Sequence, residues 1–142
     1  MLDRLGYDLV GVQDHPYQPR HLDTLALLGA ILTQTASLRV FADVGNLPLR
    51  PPAVLAKAAA TLDLLSGGRF EVGIGAGGFL EAAHAMWSAE RHGLRFDGRH
   101  YQLKGAIPGP APAHSIQIWI GANGPRALAL TGRLADGWSS RL

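Results

Sequence analysis

The sequence predicts an α/β fold in which parallel strands form a sheet that packs against helices. The first half alternates strand and helix in the order β-α-β-α-β with short links, an order that requires parallel strands joined by right-handed crossovers. The strands are apolar runs rather than alternating patterns, as expected where both faces of a sheet are covered. Two strands end in glycine-rich loops, at residues 73–78 and 121–124, which places close-approach backbone at the edge where α/β proteins bind ligands.

Length and composition restrict the class of protein. With 142 residues the chain forms one domain with a core, but it is short for a complete α/β barrel. The net charge of +2 without a Lys/Arg cluster argues against nucleic-acid and anionic-membrane binding. The absence of cysteine excludes disulfides and thiolate chemistry. No apolar run has membrane-spanning length and no signal-peptide pattern is present, so the expected location is the cytoplasm.

The first two elements are a short strand and a helix. Residues 8–13, with an apolar run at 9–12, predict a strand, which must stop before Pro16 because proline restricts the backbone on both sides. Asp23 is a suitable N-cap for a helix extending to Ala36, with leucines and isoleucines recurring on one face.

The next three elements repeat this order. Residues 38–44 predict a strand, in which the acid Asp43 either lies at the end near a ligand or marks an earlier stop. Pro51 and Pro52 suit the start of a helix over residues 53–65, and a strand over residues 70–74 follows. The predicted buried stripe of this helix is Leu55, Ala58, Ala59, Leu62 and Leu65.

The second half is less regular. Its elements are predicted, in order, as a helix at 80–91, a hairpin at 96–103, an extended proline-rich loop at 105–114, a strand at 116–120, a helix that Asn123 caps and that ends at Leu134, and a last strand from Asp136.

The glycine loops are the first candidate ligand site. The loop at 121–124 leads into a helix N-terminus, where free N–H groups and the helix dipole favour a phosphate, and Arg126 could add charge. The alternative is that both loops only make tight turns. The spacing of Gly73, Gly75 and Gly78 also fits a dinucleotide-binding pattern, but this pattern does not open the first βαβ unit and no acidic strand end follows about twenty residues later. A barrel-like fold is therefore favoured over a dinucleotide-binding fold.

The second candidate is the pair Asp14 and His15 at the end of the first strand. A histidine there can act as a general acid or base or hydrogen-bond a bound ring, while the adjacent aspartate fixes its tautomer or a loop amide. The alternative is a loop histidine satisfied by backbone groups. A metal site with His21 and Asp23 is disfavoured because no established ligand spacing fits. Four further histidines are expected at the surface: His84, His92, His100 and His114.

Several stretches together resemble one known family. They are GYDLVGVQDH at 6–15, LPLRPPAVLAK at 47–57, ATLDLLSGGRFEVGIGAG at 60–77, FDGRHY at 96–101, IWIGANGPRAL at 118–128 and ADGW at 135–138. In this combination the chain resembles the bacterial luciferase-like monooxygenase (LLM) family over nearly its whole length.

The resemblance implies a fold and a truncation. Family members are TIM barrels that use reduced FMN or the deazaflavin F420. This chain is then a single truncated luciferase-like barrel domain over residues 1–142, an incomplete TIM-barrel-like (β/α) fold with about five parallel strands and helices outside. The strands correspond to the second to the sixth of the barrel, and about twenty residues are expected to be deleted between Gly78 and Leu80. Open sheet edges are a liability, so completion as a homodimer is expected.

The resemblance also implies site residues. His15 is expected to face the flavin ring as the catalytic residue, and no metal is expected. The expected cofactor-binding residues are Ala42 and Asp43 at a strand end that often carries a non-proline cis peptide, Gly75, Ala76 and Gly77 beside the ribityl chain, and Gly121, Ala122, Asn123 and Gly124 at the phosphate.

The function implied is that of a flavin-dependent oxidoreductase or monooxygenase acting on an unspecified small molecule. FMN is slightly favoured over F420 as its cofactor. The alternative is a catalytically inactive, truncated cofactor-binding or assembly module derived from such an enzyme.

Overall fold

The computed structural model describes residues 2–75, 80–88, 92–98 and 101–139. The strands are β1 Leu9–Val12, β2 Arg39–Ala42, β3 Phe70–Ile74, β4 Leu94–Asp97, β5 Gln102–Ala106, β6 Ile118–Gly121 and β7 Gly137–Ser139. The helices are α1 Thr24–Gln34, α2 Pro52–Ser66, α3 Leu80–Trp87 and α4 Pro125–Leu134. Within the described ranges, no helix is both long and apolar enough to cross a membrane.

Five strands form one parallel sheet in the order β1-β2-β3-β6-β7. Every neighbouring pair in this sheet is parallel, which confirms the prediction from the β-α-β-α-β order. The sheet curls into a half-barrel with the helices outside. Because all five strands run the same way, their carboxyl ends meet along one edge.

The hairpin predicted at 96–103 is present but longer. Strands β4 and β5 pair antiparallel, with Asp97 opposite Gln102, and β5 continues to Ala106. The first part of the predicted proline-rich loop is therefore strand. The residues at the tip, 99–100, lie outside the described ranges.

The core lies between the sheet and the helices. Alternate residues of the central strands face the helices and are at most 3% exposed, each contributing about 1.5–3 kcal/mol by leaving water. They are Val40, Phe70, Val72, Ile74, Ile118 and Ile120.

The opposite, inner face of the sheet carries two aromatic rings above glycines. Phe41 and Trp119 lie with their ring centroids 5.6 Å apart. A Cβ at Gly73 would collide with the carbonyl oxygen of Ala42 and lie 2.8 Å from the Phe41 ring, and one at Gly137 would lie 2.5 Å from the Trp119 ring. These glycines are thus required by packing on the inner face.

The predicted buried stripe of α2 is wrong at its end. Leu65 is 79% exposed, whereas Asp63 is fully buried. The reason is that the Asp63 carboxylate accepts the backbone N–H groups of Ala113 and His114, at 2.6 and 3.1 Å, and so fixes the segment before β6. A buried acid with such partners can replace an apolar residue at a helix–sheet contact.

His114, expected at the surface, is half-buried between two acids. Its Nδ1 lies 2.7 Å from Asp63 Oδ1 and its Nε2 lies 3.3 Å from Glu71 Oε1. Glu71 is itself 1% exposed and accepts the backbone N–H of Gln117. These contacts join the segment before β6 to α2 and β3, at the end of the sheet opposite the carboxyl edge.

Candidate functional site

Two clefts lie along the carboxyl edge of the sheet. The first, of about 160 Å³, is lined by Asp14, His15, Tyr17, residues 44–48 and Gly75. The second, of about 250 Å³, is lined by Asp43, Val44, Gly75 and residues 121–123. Val44 and Gly75 line both, so the two clefts are adjacent, and together they are here called the edge groove.

His15 lies at one end of the edge groove, directly after β1. The ring is half-buried, and its Nδ1 lies 2.7 Å from the hydroxyl of Tyr17. The ring of His21 is 5.8 Å away. Among the described residues, Tyr17 makes the one hydrogen bond to this ring, so Nε2 is available to a ligand or a proton. The alternative considered from the sequence, a histidine satisfied by backbone groups, is therefore not what the structure shows, because the partner of the ring is the Tyr17 side chain.

Asp14 holds a loop amide, one of the two roles considered for it. The side chain is 2% exposed, and Oδ2 accepts the backbone N–H of Asn46 at 2.8 Å and Nε of Arg50 at 2.9 Å. Burial alone would raise the pKa of Asp14, but hydrogen bonds from Arg50 and Asn46 and the charge of Arg50 together hold that pKa below its usual value. Asp14 is therefore a carboxylate at neutral pH.

The sequence analysis did not identify Arg50 as a partner of Asp14. Thirty-six residues separate the two along the chain. The residues around Arg50, which precedes two prolines, form no local pattern that predicts a contact with the end of another strand. The described residues contain no group of three or more His, Asp or Glu side chains arranged to hold a metal ion.

The residues just after β2 line the clefts, Asp43 the second and Val44 both, whereas Ala42 lines neither. The side chain of Ala42 is buried in the core at 4% exposure, and the strand ends there, so Asp43 lies just beyond it. Asp43 Oδ1 accepts the hydroxyl of Ser139 from β7 at 2.8 Å. The peptide bond between Asp43 and Val44 is cis, at the strand end where such a bond was expected.

Gly75 follows β3 and stands where the two clefts meet. It is exposed, and a Cβ there would lie 3.4 Å from Val44, which is an ordinary contact. Ala76 and Gly77, also expected at the cofactor, lie outside the described residues.

The far end of the edge groove is the loop between β6 and α4. Gly121, Ala122 and Asn123 line it, and the Trp138 indole N–H donates to the Ala122 carbonyl at 2.8 Å from behind. The predicted N-cap at Asn123 is wrong. Gly124 is the N-cap, because Pro125 occupies the first helical position.

The N-cap at Gly124 determines whether the N-terminus of α4 can bind a negatively charged group. Within the part of the chain that the structure describes, no side chain caps the first turn of α4, so its free N–H groups remain available for an anion. Arg126 in this turn is exposed and adds a positive charge. The edge groove therefore suits an elongated ligand with a polar ring near His15 and an anionic group near α4.

Comparison with known proteins identifies a matching family model. The model described as luciferase-like monooxygenase matches residues 1–86 and 79–142. The two matches overlap at the point where the sequence analysis expects a deletion.

One curated relative illustrates the extent of the match. The F420-dependent glucose-6-phosphate dehydrogenase of Nakamurella multipartita is 31% identical over 94% of this chain, which covers 47% of that protein. The chain spans about half the length of the curated relatives it matches.

Two solved structures show the same fold. The coenzyme F420-dependent tetrahydromethanopterin reductase of Methanopyrus kandleri has a TM-score of 0.83 at 19% identity, with 96% of this chain covering 48% of that one. A type II Baeyer–Villiger monooxygenase of Pseudomonas putida in complex with FMN, the oxygenating constituent of 3,6-diketocamphane monooxygenase, has a TM-score of 0.77 at 19% identity, with the same coverage.

Proposed function

The chain belongs to the luciferase-like monooxygenase family, and from this premise we propose that it binds F420 or FMN in the edge groove and acts as an oxidoreductase on a small molecule. The observation that carries this proposal is that two clefts lie side by side along the carboxyl edge of the sheet. Val44 and Gly75 line both the cleft beside His15 and the cleft beside α4, so a single elongated ligand would reach both ends.

The residues of the groove fit the parts of such a cofactor. Backbone amides after β6 and the uncapped first turn of α4 suit a phosphate, and Arg126 supports its charge. Val44 and Gly75 line the middle, where Gly75 contributes no side chain. The half-buried ring of His15 lies at the end where the redox-active ring would be held.

The cofactor, when bound, supplies hydride transfer or oxygen activation. The chain supplies orientation and a position for one proton. His15 can hold or release that proton at Nε2, because Nδ1 is engaged with Tyr17. Residues 44–48 line the cleft beside this position.

Of the two cofactors, we propose F420 as the first to test, although the sequence analysis slightly favoured FMN. Relatives at about 30% identity carry the name of F420-dependent enzymes, whereas the FMN complex among the similar structures is only 19% identical. Both cofactors have a tricyclic ring, a ribityl chain and a phosphate, so the same groove suits either.

Titration of the purified chain with F420 and with FMN, followed by fluorescence, tests this function. We expect saturable binding of at least one of them with a Kd in the micromolar range or below. A chain that binds neither at about 1 mM would contradict the proposal. Reduction or oxidation of the bound cofactor by candidate substrates then separates an enzyme from a cofactor-binding module without turnover.

We also propose that the chain forms a homodimer. No described strand pairs with the outer edge of β1 or β7. The accessible surface is 8604 Å² for 15.1 kDa, roughly 1,500 Å² more than a compact monomer of that mass exposes. This excess is larger than the ~800 Å² that each partner buries in a standard interface. Light scattering should give twice the mass of one chain, and a mass of one chain would contradict the proposal.

A further inference from the structure

We propose that Arg50 is a positioning residue of the edge groove, which holds the loop of His15 against the groove wall through the carboxylate of Asp14. Residues 44–48 are called the groove wall here. This inference rests on the proposed function for its consequence, cofactor affinity, but the contact itself can be tested without a cofactor.

Arg50 and Asp14 contact each other at two points. Arg50 Nε lies 2.9 Å from Asp14 Oδ2, and Nη2 lies 3.1 Å from Oδ1, so the guanidinium grips both carboxylate oxygens. The side chain of Arg50 is 18% exposed and that of Asp14 is 2% exposed. Such a two-point, largely buried contact has a defined direction that a single ammonium group cannot reproduce.

The Asp14 carboxylate also accepts a hydrogen bond from the groove wall. Asp14 Oδ2 also accepts the backbone N–H of Asn46 at 2.8 Å. Asn46 belongs to the groove wall, and the adjacent Gly45 donates its N–H to the Gly73 carbonyl at 2.8 Å. The carboxylate therefore connects the residue before His15 to the middle of the wall.

Arg50 also connects the two ends of the loop that carries His15. Arg50 Nη2 also reaches Asp23 Oδ2 at 2.8 Å, at the far end of this loop. There the hydroxyl of Thr24 donates to the carbonyl of Gln13 at 2.8 Å. Arg50 thus contacts both ends of the loop over residues 14–23, while Tyr17 contacts His15 inside it.

Charge explains why the arginine is needed. The charged groups that face Asp14 are Arg50 and, at the loop end, Asp23, whose own pKa the hydrogen bond from Arg50 lowers most. Without the guanidinium, two carboxylates would lie close together and burial would disfavour the charge on Asp14. A protonated Asp14 is a poorer acceptor for the Asn46 amide, so the wall would lose its anchor.

The first experiment follows the Asn46 amide signal by NMR against pH in the full chain. In the wild type it should shift with the ionisation of Asp14, with a midpoint below the 3.8 of a free aspartate, because the folded form favours the carboxylate. The anchored state is thus present above pH 3.8 and lost as pH falls through that lower midpoint. In Arg50→Met the midpoint should rise above the wild-type value, and in Arg50→Lys it should lie between. An unchanged midpoint in both variants would overturn the proposal.

The second experiment measures the affinity for F420 and FMN. Arg50→Met should weaken binding at least tenfold, and Arg50→Lys should restore part of the loss. The matched control is Arg95→Met, which removes an exposed arginine paired with Asp97 at 3.0 Å on the hairpin and should leave affinity unchanged. Wild-type affinity in both Arg50 variants would overturn the positioning role.

Different results would contradict the proposed function and the positioning role of Arg50. If the wild-type chain binds neither cofactor, the proposed function fails, while the Asn46 titration still decides whether Arg50 holds Asp14. If Arg50→Met does not fold, Arg50→Lys retains the charge and serves for both measurements.

Discussion

Gly75→Leu is expected to lower the affinity for F420 or FMN by roughly 100-fold, about 2.7 kcal/mol, without unfolding the chain. Gly75 stands where the two clefts of the edge groove meet, so a leucine side chain would occupy the point that a ligand spanning both must cross. The variant should fold because a Cβ at this position makes only an ordinary contact of 3.4 Å with Val44, and Gly75 does not adopt a positive φ. Fluorescence titration and thermal unfolding measure the two effects separately.

Gly132→Leu is the matched control for this substitution. Gly132 lies on the exposed side of α4, and a Cβ there has no neighbour within 4 Å. Gly132→Leu should leave the affinity for F420 or FMN unchanged. Wild-type affinity in Gly75→Leu would mean that the ligand does not pass through the junction of the clefts.

Gly73→Ala is expected to destabilise the chain by about 3 kcal/mol or more, at or above the upper end of the usual cost of overpacking. The added methyl group would collide with the Ala42 carbonyl oxygen of the neighbouring strand and press on the Phe41 ring. A backbone atom in the middle of a sheet cannot move aside as a flexible side chain does. Chemical denaturation measures the loss, which is a large part of the 5–15 kcal/mol that folded domains have.

The matched control is expected to raise the stability of the chain rather than lower it. Gly132→Ala replaces a glycine inside α4 in open space and should stabilise the chain by about 0.5–1 kcal/mol. A Gly73→Ala variant as stable as Gly132→Ala would show that β2 and β3 do not approach each other as described.

The contrast between Gly73 and Gly75 shows how far the sequence could predict the site. Both belong to one glycine-rich strand end, and this end lies at the carboxyl edge of the parallel sheet, as the β-α-β order predicted. From composition alone the two glycines look alike. The structure separates them, because Gly73 is needed for packing within the sheet and Gly75 lines the groove.

Local patterns predicted local structure well. Asp23 caps α1 through a bond to the Ala26 N–H, as its position before an amphipathic run indicated. The cap of α4 was placed one residue early, although the rule that proline favours the first helical position would have selected Gly124. That error came from giving a polar side chain more weight than the proline.

Apart from Tyr17, which contacts His15 two residues away, the partners that the sequence did not predict act across long separations in the chain. Asp63 and Glu71 hold segments about fifty residues away, and Arg50 reaches Asp14 across thirty-six. A buried charge has no periodic signature, because its partner can come from any element. Such contacts become visible only when the sheet brings the strand ends together.

Mapping of the backbone amide signals during a titration with F420 or FMN tests the binding site most directly. Two regions are compared: the edge groove, and the apolar groove of about 670 Å³ on the helices, which includes Val54 and Leu62. We predict that the amides of Val44, Gly75 and Asn123 shift together with saturation, while those of Val54 and Leu62 do not. Shifts confined to the helical groove, with Val44, Gly75 and Asn123 unchanged, would contradict cofactor binding at the carboxyl edge of the sheet.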